Sequence, residues 1–240
     1  MYQKPQVLDK KTHAALRYTP QNGYAFARNL TTVPLLAGEI ELAAAHYPTV
    51  FSAQGEPTLL AVLGLAEQNV YLTAADRWTA EYIPAFIRRY PFVLANDGKS
   101  EKGADTEQYY LAVDTAAPHF QSDKGEPLIL ENGELGAPSV SALAFLKTFQ
   151  EGLMVTHAAL KEFESTGILV AKTLTVKDFD ATKTIGGFRV IDADKVKALT
   201  DDVLAKWARN GMLAMIHAHW SSLRHLNKVA IASGQPDKTN

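Results

Sequence analysis

The chain contains no cysteine among its 240 residues. Disulfide bonds, thiolate metal ligands and a cysteine nucleophile are therefore excluded, and the composition fits a reducing compartment. Long apolar runs are also missing, because the longest, around residues 59–65, is far too short to span a bilayer. Residues 1–11 are polar and lack the apolar region of a secretory signal. We therefore expect a cytoplasmic protein with no membrane insertion.

A strong charge of either sign is missing as well. The formal net charge is -2, whereas a dedicated nucleic-acid-binding protein usually carries a basic face. We therefore expect no nucleic-acid partner. The sequence has no G-x-S-x-G, H-E-x-x-H, Walker A or G-x-G-x-x-G pattern. We expect no bound cofactor, and no motif assigns catalytic residues.

What the chain does have is the composition of a globular protein, with 47% hydrophobic and 21% charged residues. We expect an irregular N-terminal arm over residues 1–23, one domain over residues 24–232 and a frayed tail over residues 233–240. The absence of a linker rich in proline and serine near residue 136 favours one continuous domain.

The first half of the chain is rich in β-branched and aromatic residues, which favour strands. The expected strands cover residues 24–28, 48–52, 58–65, 69–73, 91–95 and 108–114. A short polar connection predicts an antiparallel hairpin that joins 58–65 to 69–73, and a second hairpin is expected to join 91–95 to 108–114 around the charged loop 96–107. Short helices are expected over residues 38–46 and 84–89.

The second half changes to a helical pattern. Ser139 is predicted to cap a long amphipathic helix that runs to about Glu164. Strands are expected over residues 168–176 and 187–191, and helices over residues 200–210 and 212–230. Strand runs followed by helices predict an α+β fold, in which an antiparallel sheet built from hairpins packs with several helices and the C-terminal part is mainly helical.

The most distinctive segment is Tyr82-Ile83-Pro84-Ala85-Phe86-Ile87-Arg88-Arg89-Tyr90-Pro91-Phe92, in which two prolines bracket aromatic residues and an arginine pair. A guanidinium beside an aromatic ring can stack on it and bind a carboxylate or phosphate through two hydrogen bonds. The candidate ligand-binding residues here are Trp78, Tyr82, Phe86, Arg88, Arg89 and Tyr90.

Two points qualify that prediction. Consecutive residues on a helix point about 100° apart, so we expect only one of Arg88 and Arg89 to face a cleft. The competing interpretation is that the rings belong to the core and that both arginines pair with surface acids.

A second candidate lies in the last helix, where His217-Ala218-His219 forms a His-x-His pattern. On a strand this spacing suits a metal ion, but on a helix the two imidazoles face different ways, so we expect no metal site. His219 is predicted to be a hydrogen-bonded core histidine. His217, Ser221 and either Arg224 or His225 share one stripe of the helix, which lines a polar cleft or forms a solvated face.

Several runs of the sequence together resemble the SapC family. They are Tyr24-Ala25-Phe26-Ala27-Arg28-Asn29-Leu30, Val33-Pro34-Leu35, Tyr47-Pro48-Thr49-Val50-Phe51, Leu63-Gly64-Leu65, Asn69-Val70-Tyr71-Leu72, the segment from Tyr82 to Phe92, and Ser221-Ser222-Leu223-Arg224-His225-Leu226. The resemblance covers about residues 20–230. The family takes its name from an association with surface-layer protein transport, so the resemblance implies a cell-envelope or peptide-handling context and supplies no catalytic residues.

We therefore expect an accessory protein that binds a peptide or an envelope-protein segment in a surface-protein transport or modification pathway. The alternative is an enzyme that modifies a peptide or a small acidic substrate in a cleft lined by the last helix. A deep cleft that joins the arginines to that helix would favour chemistry, and a shallow groove would favour binding. The sequence predicts no oligomeric state.

Overall fold

The computed structural model describes residues 1–65, 68–96, 109–120, 124–178 and 181–234. The strands within these ranges are β1 (Pro5–Val7), β2 (Arg17–Tyr18), β3 (Thr32–Pro34), β4 (Thr49–Ser52), β5 (Leu59–Val62), β6 (Phe92–Asn96), β7 (Tyr109–Asp114), β8 (Glu126–Pro127), β9 (Leu169–Asp178) and β10 (Ala181–Ile191). The α-helices are α1 (Lys10–His13), α2 (Ile40–Ala44), α3 (Ala85–Arg88), α4 (Ala137–Ser165), α5 (Ala193–Lys197), α6 (Asp201–Asn210), α7 (Met212–Ser222) and α8 (His225–Gly234). The fold is α+β with antiparallel sheets and a mainly helical C-terminal part, which confirms the predicted class.

The internal contacts divide the chain into two compact units, each assembled from two segments. The first unit combines Met1–Phe26 with Arg88–Gln150, and the second combines Ala27–Ile87 with the chain from Glu151 onward. The arm expected over residues 1–23 and the single domain expected over residues 24–232 stay predictions. Within the described ranges, no helix has both the length and the apolar character needed to cross a bilayer.

The first unit contains a three-stranded antiparallel sheet with the order β1-β7-β6. Strands β6 and β7 form the hairpin predicted for this region, with Phe92 opposite Val113. Strand β1 comes from the N-terminal segment and places Pro5 opposite Asp114. A short β2–β8 pair completes the strands of this unit. Its core contains the buried side chains Phe92, Leu111, Val113, Leu128, Ile129 and Leu146.

The second unit contains a five-stranded antiparallel sheet with the order β3-β5-β4-β10-β9. A chain of aromatic contacts runs from this sheet into the helices. The ring of Phe51 on β4 lies 6.4 Å from that of Phe163 on α4, which lies 5.3 Å from that of Trp207 on α6. Phe51, Phe163 and Trp207 are fully buried, so they join sheet and helices into one core.

Two strand predictions in the first half are wrong. Residues 24–28 contain a 3₁₀ turn, Ala25–Ala27, and residues 69–73 are not a strand. The Asn69 side chain accounts for the second error, because its amide donates to the Ala27 carbonyl at 3.2 Å and its oxygen accepts the Tyr71 N–H at 2.9 Å. These side-chain bonds satisfy backbone groups locally, and a backbone bond from the Val70 N–H to the Leu63 carbonyl at 2.9 Å joins the two segments without forming a ladder of strand pairs. Strand β5 therefore pairs with β3 and β4.

Two helix boundaries also differ from prediction. Helix α4 begins at Ala137, so Ser139 lies within its first turn and its hydroxyl donates to the Leu128 carbonyl at 2.8 Å. The last helix, expected to continue to residue 230, breaks after Ser222 into α7 and α8. The Ser222 hydroxyl donates to the His219 carbonyl at 2.6 Å, and such a side-chain bond competes with helix propagation.

Candidate functional site

The aromatic–arginine segment is anchored by a buried carboxylate that sequence reasoning missed. Glu39, at the end of the 3₁₀ turn before α2, accepts the backbone N–H of Ala85 at 2.9 Å and that of Leu36 at 2.8 Å. It also accepts the Tyr82 hydroxyl at 2.5 Å. The first residue of α3 is therefore held by a side chain 46 positions earlier, and no local sequence signal around residue 85 could have indicated this.

Two of the predicted ligand-binding residues, Trp78 and Tyr82, form hydrogen bonds with other residues of the protein. The indole N–H of Trp78 donates to the Tyr47 hydroxyl at 2.7 Å, and that hydroxyl donates to the Tyr82 carbonyl. Tyr47 is fully buried, and burial is the main cause that raises its pKa, so it remains a neutral donor. Trp78 and Tyr82 therefore belong to a hydrogen-bonded network that shapes the loop before α3. Neither they nor Phe86 lines either of the two cavities described next.

The other residues of the segment line a cavity of about 460 Å³ in the first unit. We call it the arginine–aromatic cavity. Its walls combine two guanidinium groups, four aromatic rings, two prolines and a single carboxylate. They consist of Tyr18, Pro20, Arg88, Arg89, Tyr90, Phe92, Glu126, Ala137, Pro138, Ser141, Ala142, Phe145 and Leu146.

Both arginines face this cavity, so the expectation that only one would do so is wrong. Helix α3 ends at Arg88, and the 100° rule therefore no longer relates Arg88 to Arg89. The guanidinium carbon of Arg88 lies 5.3 Å from the centre of the Phe145 ring, and that of Arg89 lies 5.0 Å from the Phe149 ring. Both distances fit cation–π contacts with helix α4.

The two arginines differ in their surroundings. Arg88 is exposed, whereas Arg89 is half-buried and its guanidinium carbon also lies 5.8 Å from the Tyr2 ring. Burial lowers the pKa of Arg89, and the neighbouring Tyr2 partly offsets that effect. Because arginine starts from a very high pKa, Arg89 still carries a positive charge at neutral pH.

The aromatic wall of the cavity is supported from behind. Tyr90 stacks on Phe26 with 4.0 Å between ring centres and donates its hydroxyl to Asp114 at 3.2 Å. Buried His119 stacks on Tyr18 at 5.7 Å and meets Tyr90 edge-on at 5.5 Å. Burial lowers the pKa of His119 to about 4, so its ring is neutral near pH 7. These contacts fix the position of the wall.

The predicted stripe of the last helix lines a different cavity, in the second unit. This α2–α7 cavity has a volume of about 420 Å³. It is formed by Glu41, Ala44, Ala45, Ala214, His217, Ala218, Ser221 and Arg224. His217, Ser221 and Arg224 therefore line one cavity together, and all three side chains are exposed. They share no residue with the arginine–aromatic cavity.

His219 is a core histidine, as predicted. It is fully buried, its Nε2 accepts the Ile191 N–H at 3.1 Å, and its Nδ1 lies 3.3 Å from the Thr49 hydroxyl. Because Nε2 accepts a hydrogen bond, Nδ1 carries the proton of the neutral ring and donates to Thr49. Burial lowers the pKa of His219 to about 4. His219 is therefore occupied inside the core while His217 is exposed, so the two do not converge.

The contributions of Tyr18, Glu126 and Phe145 to the arginine–aromatic cavity were not predicted. The helical spacing of Leu146 and Phe149 indicated a packed face on α4, but no pattern in the sequence related that face to the arginine pair. Among the described residues, no group of three or more histidine, aspartate or glutamate side chains is arranged to hold a metal ion. Each of the two cavities described above contains predicted site residues on its wall.

Comparison with known proteins places this chain in a family. No curated protein and no solved structure matches it. A family model described as SapC matches residues 8–229 of the 240. Since this match includes both units and nearly the whole length, the chain belongs to the SapC family.

Proposed function

We propose that this protein is a non-catalytic accessory protein that binds a peptide or a segment of an envelope protein in the arginine–aromatic cavity. The observation that carries the proposal is the pair of cationic groups, Arg88 and Arg89, on the wall of a cavity otherwise rich in aromatic rings and prolines. Family membership supports the wider context, a pathway of surface-protein transport or modification. The cytoplasmic location is part of the proposal, and the absence of cysteine is consistent with it.

The chemistry of the walls indicates what a ligand must offer. Guanidinium groups bind carboxylates through two parallel hydrogen bonds, and aromatic rings bury apolar or aromatic side chains. A volume of about 460 Å³ lies within the range of small-molecule and short-peptide sites. A peptide with an acidic group next to an aromatic or aliphatic side chain satisfies both kinds of wall.

The two arginines offer different tests. Arg88 is exposed, so its removal should leave the fold intact, whereas Arg89 packs between Phe149 and Tyr2. Arg88→Ala therefore reports on binding more cleanly than Arg89→Ala. Arg77→Ala is the matched control, because Arg77 is also exposed and does not line the cavity.

The experiment selects binders from a phage library of random octapeptides and then measures them by fluorescence anisotropy. We expect peptides with acidic and aromatic residues to be enriched. Arg88→Ala should bind them at least about tenfold more weakly, since a hydrogen bond to a charged group contributes roughly 1.5–3 kcal/mol. Arg77→Ala should bind like the parent, and all three proteins should have the same Tm. Failure to enrich any peptide, or unchanged affinity in Arg88→Ala, would reject the proposal.

A further inference from the structure

The α2–α7 cavity gathers four polar side chains from α2, α7 and the residues that follow α7. They are Glu41, His217, Ser221 and Arg224, all of them exposed. In the part of the chain that the structure describes, none of these four side chains forms a hydrogen bond or an ion pair with another residue. His217 only makes an edge-on ring contact with Trp220, at 5.4 Å between centres. Their hydrogen-bonding capacity is therefore available to a ligand.

Helical spacing explains why these groups converge. Ala214, Ala218 and Ser221 follow one another at intervals of four and three residues, so they lie on one face of α7. Glu41 and Ala44 share a face of α2 through the same kind of spacing. The remaining lining residues are His217, Arg224 and Ala45.

The alanines are what make this surface concave. Four of the eight lining residues are alanines, whose side chains end at Cβ. The longer side chains of Arg224, His217 and Glu41 extend past them and form the walls. A small apolar floor with polar walls is the usual construction of a ligand site.

The cavity wall carries a positively charged and a negatively charged side chain. Arg224, just after the end of α7, provides a cation, and Glu41 on α2 provides an anion. Burial is the main cause that lowers the pKa of the His225 ring. The nearby positive charges of Arg224 and Lys228 lower it further. Its Nε2 is buried and has no hydrogen-bond partner among the described residues.

An oxyanion alone would suit Arg224 but would be repelled by Glu41, and a simple amine would meet the opposite conflict. A molecule that carries both a carboxylate and an ammonium group satisfies both charges. We propose that the α2–α7 cavity is a second binding site, which takes a small zwitterion of the size of a free amino acid or dipeptide. Arg224 and Ser221 hold its carboxylate, and Glu41 holds its ammonium group.

This site shares no residue with the arginine–aromatic cavity, so it does not depend on the proposed function. The volume of about 420 Å³ accommodates a ligand of this class with its side chain. The alanine floor sets little restriction on that side chain, because it offers only methyl groups. Recognition is therefore expected to depend on the two charged ends.

The probes are the twenty proteinogenic L-amino acids and the unblocked dipeptide Ala-Ala, each titrated into the full chain by calorimetry. We expect at least one probe to bind with a dissociation constant of about 1 mM or tighter. The tightest probe is then compared with its N-acetylated and its C-amidated forms. Each blocked form should bind at least about tenfold more weakly, since each loses one charge-assisted contact.

Variants assign each end of the ligand to a residue. Arg224→Ala should weaken binding about tenfold or more and should no longer distinguish the C-amidated form from the parent ligand. Glu41→Gln, which keeps the shape of the side chain, should do the same for the N-acetylated form. Arg209→Ala is the matched control, because Arg209 is exposed on α6 and does not line the cavity.

Several results would overturn this inference. They are the absence of binding by every probe at the stated affinity, equal binding of blocked and unblocked forms, and unchanged affinity in both Arg224→Ala and Glu41→Gln. If Arg224→Ala lowers both the affinity and the Tm, the affinity of Glu41→Gln decides whether the cavity binds the ligand. Glu41→Gln removes a surface charge without a change of volume. None of these outcomes affects octapeptide binding at Arg88, so the two proposals are tested separately.

Discussion

Arg88 and Arg89 are adjacent in the chain but act in different ways. Arg88 is exposed at the rim, with Phe145 beneath its guanidinium. Arg89 is half-buried and has aromatic rings on two sides, those of Phe149 and Tyr2. A long basic side chain in such a setting contributes apolar contact as well as charge. Arg89 therefore supports the cavity wall, and in the proposed function Arg88 contacts the ligand.

Glu39 accepts three hydrogen bonds within the second unit. Glu39→Ala would leave the N–H groups of Leu36 and Ala85 and the Tyr82 hydroxyl without their acceptor. We expect the free energy of unfolding to fall by about 3 kcal/mol or more, since buried donors would be left unsatisfied. Urea denaturation measures the change.

Glu41→Ala is the control for Glu39→Ala. Glu41 is exposed, so Glu41→Ala should change the free energy of unfolding by less than about 0.5 kcal/mol. Equal effects of the two substitutions would contradict the assigned role of Glu39.

His219 makes stability depend on pH. Its pKa in the folded protein is about 4, below the value of about 6.5 in an unfolded chain. Between these two values the unfolded state binds more protons, so stability is complete above about pH 6.5 and falls as the pH drops toward 4. The loss amounts to about 3 kcal/mol for this fully buried group. Buried His119, whose pKa is also about 4, adds a loss of the same sign.

His219→Asn tests this prediction when its free energy of unfolding is measured at about pH 7.5 and about pH 4.5. The variant should be less stable than the parent at the higher pH and should lose less on acidification. Ser222→Ala is the control, because it removes a hydroxyl that contacts Thr49 in the same network but keeps the titrating ring. It should lower stability equally at both pH values. A parental pH dependence in His219→Asn would disprove the assignment.

At the scale of elements, the start of α4 depends on a close approach of two backbones. A Cβ atom at Gly136 would lie 1.9 Å from the Pro127 carbonyl oxygen. Gly136→Ala therefore requires β8 or the start of the helix to move, and we expect it to cost about 2 kcal/mol or more in urea denaturation. Gly38→Ala is the control, since a Cβ there would meet nothing within 4 Å, and it should be neutral or slightly stabilising. If both variants had similar free energies of unfolding, the backbone around Gly136 would be able to move without a measurable cost.

Elements whose signals are local could be predicted from the sequence. Helix α4 shows amphipathic periodicity over many turns, and its predicted limits differ from the observed ones by only one or two residues at each end. The β6–β7 hairpin follows from two β-rich runs, and α6 ends at Gly211, which has the left-handed φ of 85° that favours glycine. Each of these sequence signals lies within one continuous stretch of the chain.

The errors arose where distant groups decide the structure. Residues 69–73 have the composition of a strand, but Asn69 bonds back to the carbonyls of Ala27 and Arg28, which lie about 40 residues earlier. The same limit applies to the candidate site. The arginine pair was identified from its segment, whereas Phe145 and Glu126 reach the same cavity from elements that lie far along the chain. No single-segment pattern contains that information.

For the whole molecule, the order of segments has a consequence for stability. The chain enters the first unit at its N-terminus, leaves it after Phe26 and returns at Arg88. The central strand of that unit's main sheet, β7, therefore pairs on one side with β1, which is more than 100 residues earlier. The N-terminal segment is thus an integral part of the sheet in the first unit.

Deletion of residues 2–8 tests this arrangement. It removes β1, and it removes the backbone N–H groups of Gln3 and Lys4 that the buried Asp114 carboxylate accepts at 2.9 and 2.8 Å. It also removes Tyr2, whose hydroxyl donates to the Phe92 carbonyl at 2.8 Å. We expect a loss of about 3 kcal/mol or more, because a buried carboxylate would lose partners together with a strand.

Hydrogen exchange shows which strands lose stability in the deletion variant. Amide exchange in β6 and β7 should accelerate more than in β4 and β5, because β1 pairs directly with β7. Lys4→Ala is the control: it keeps the backbone N–H that Asp114 accepts, so its stability should stay within about 0.5 kcal/mol of the parent. If the deletion left exchange in β7 unchanged, β1 would not be paired in solution. Arg89 would then lack its Tyr2 neighbour but would keep its contact with Phe149 on α4.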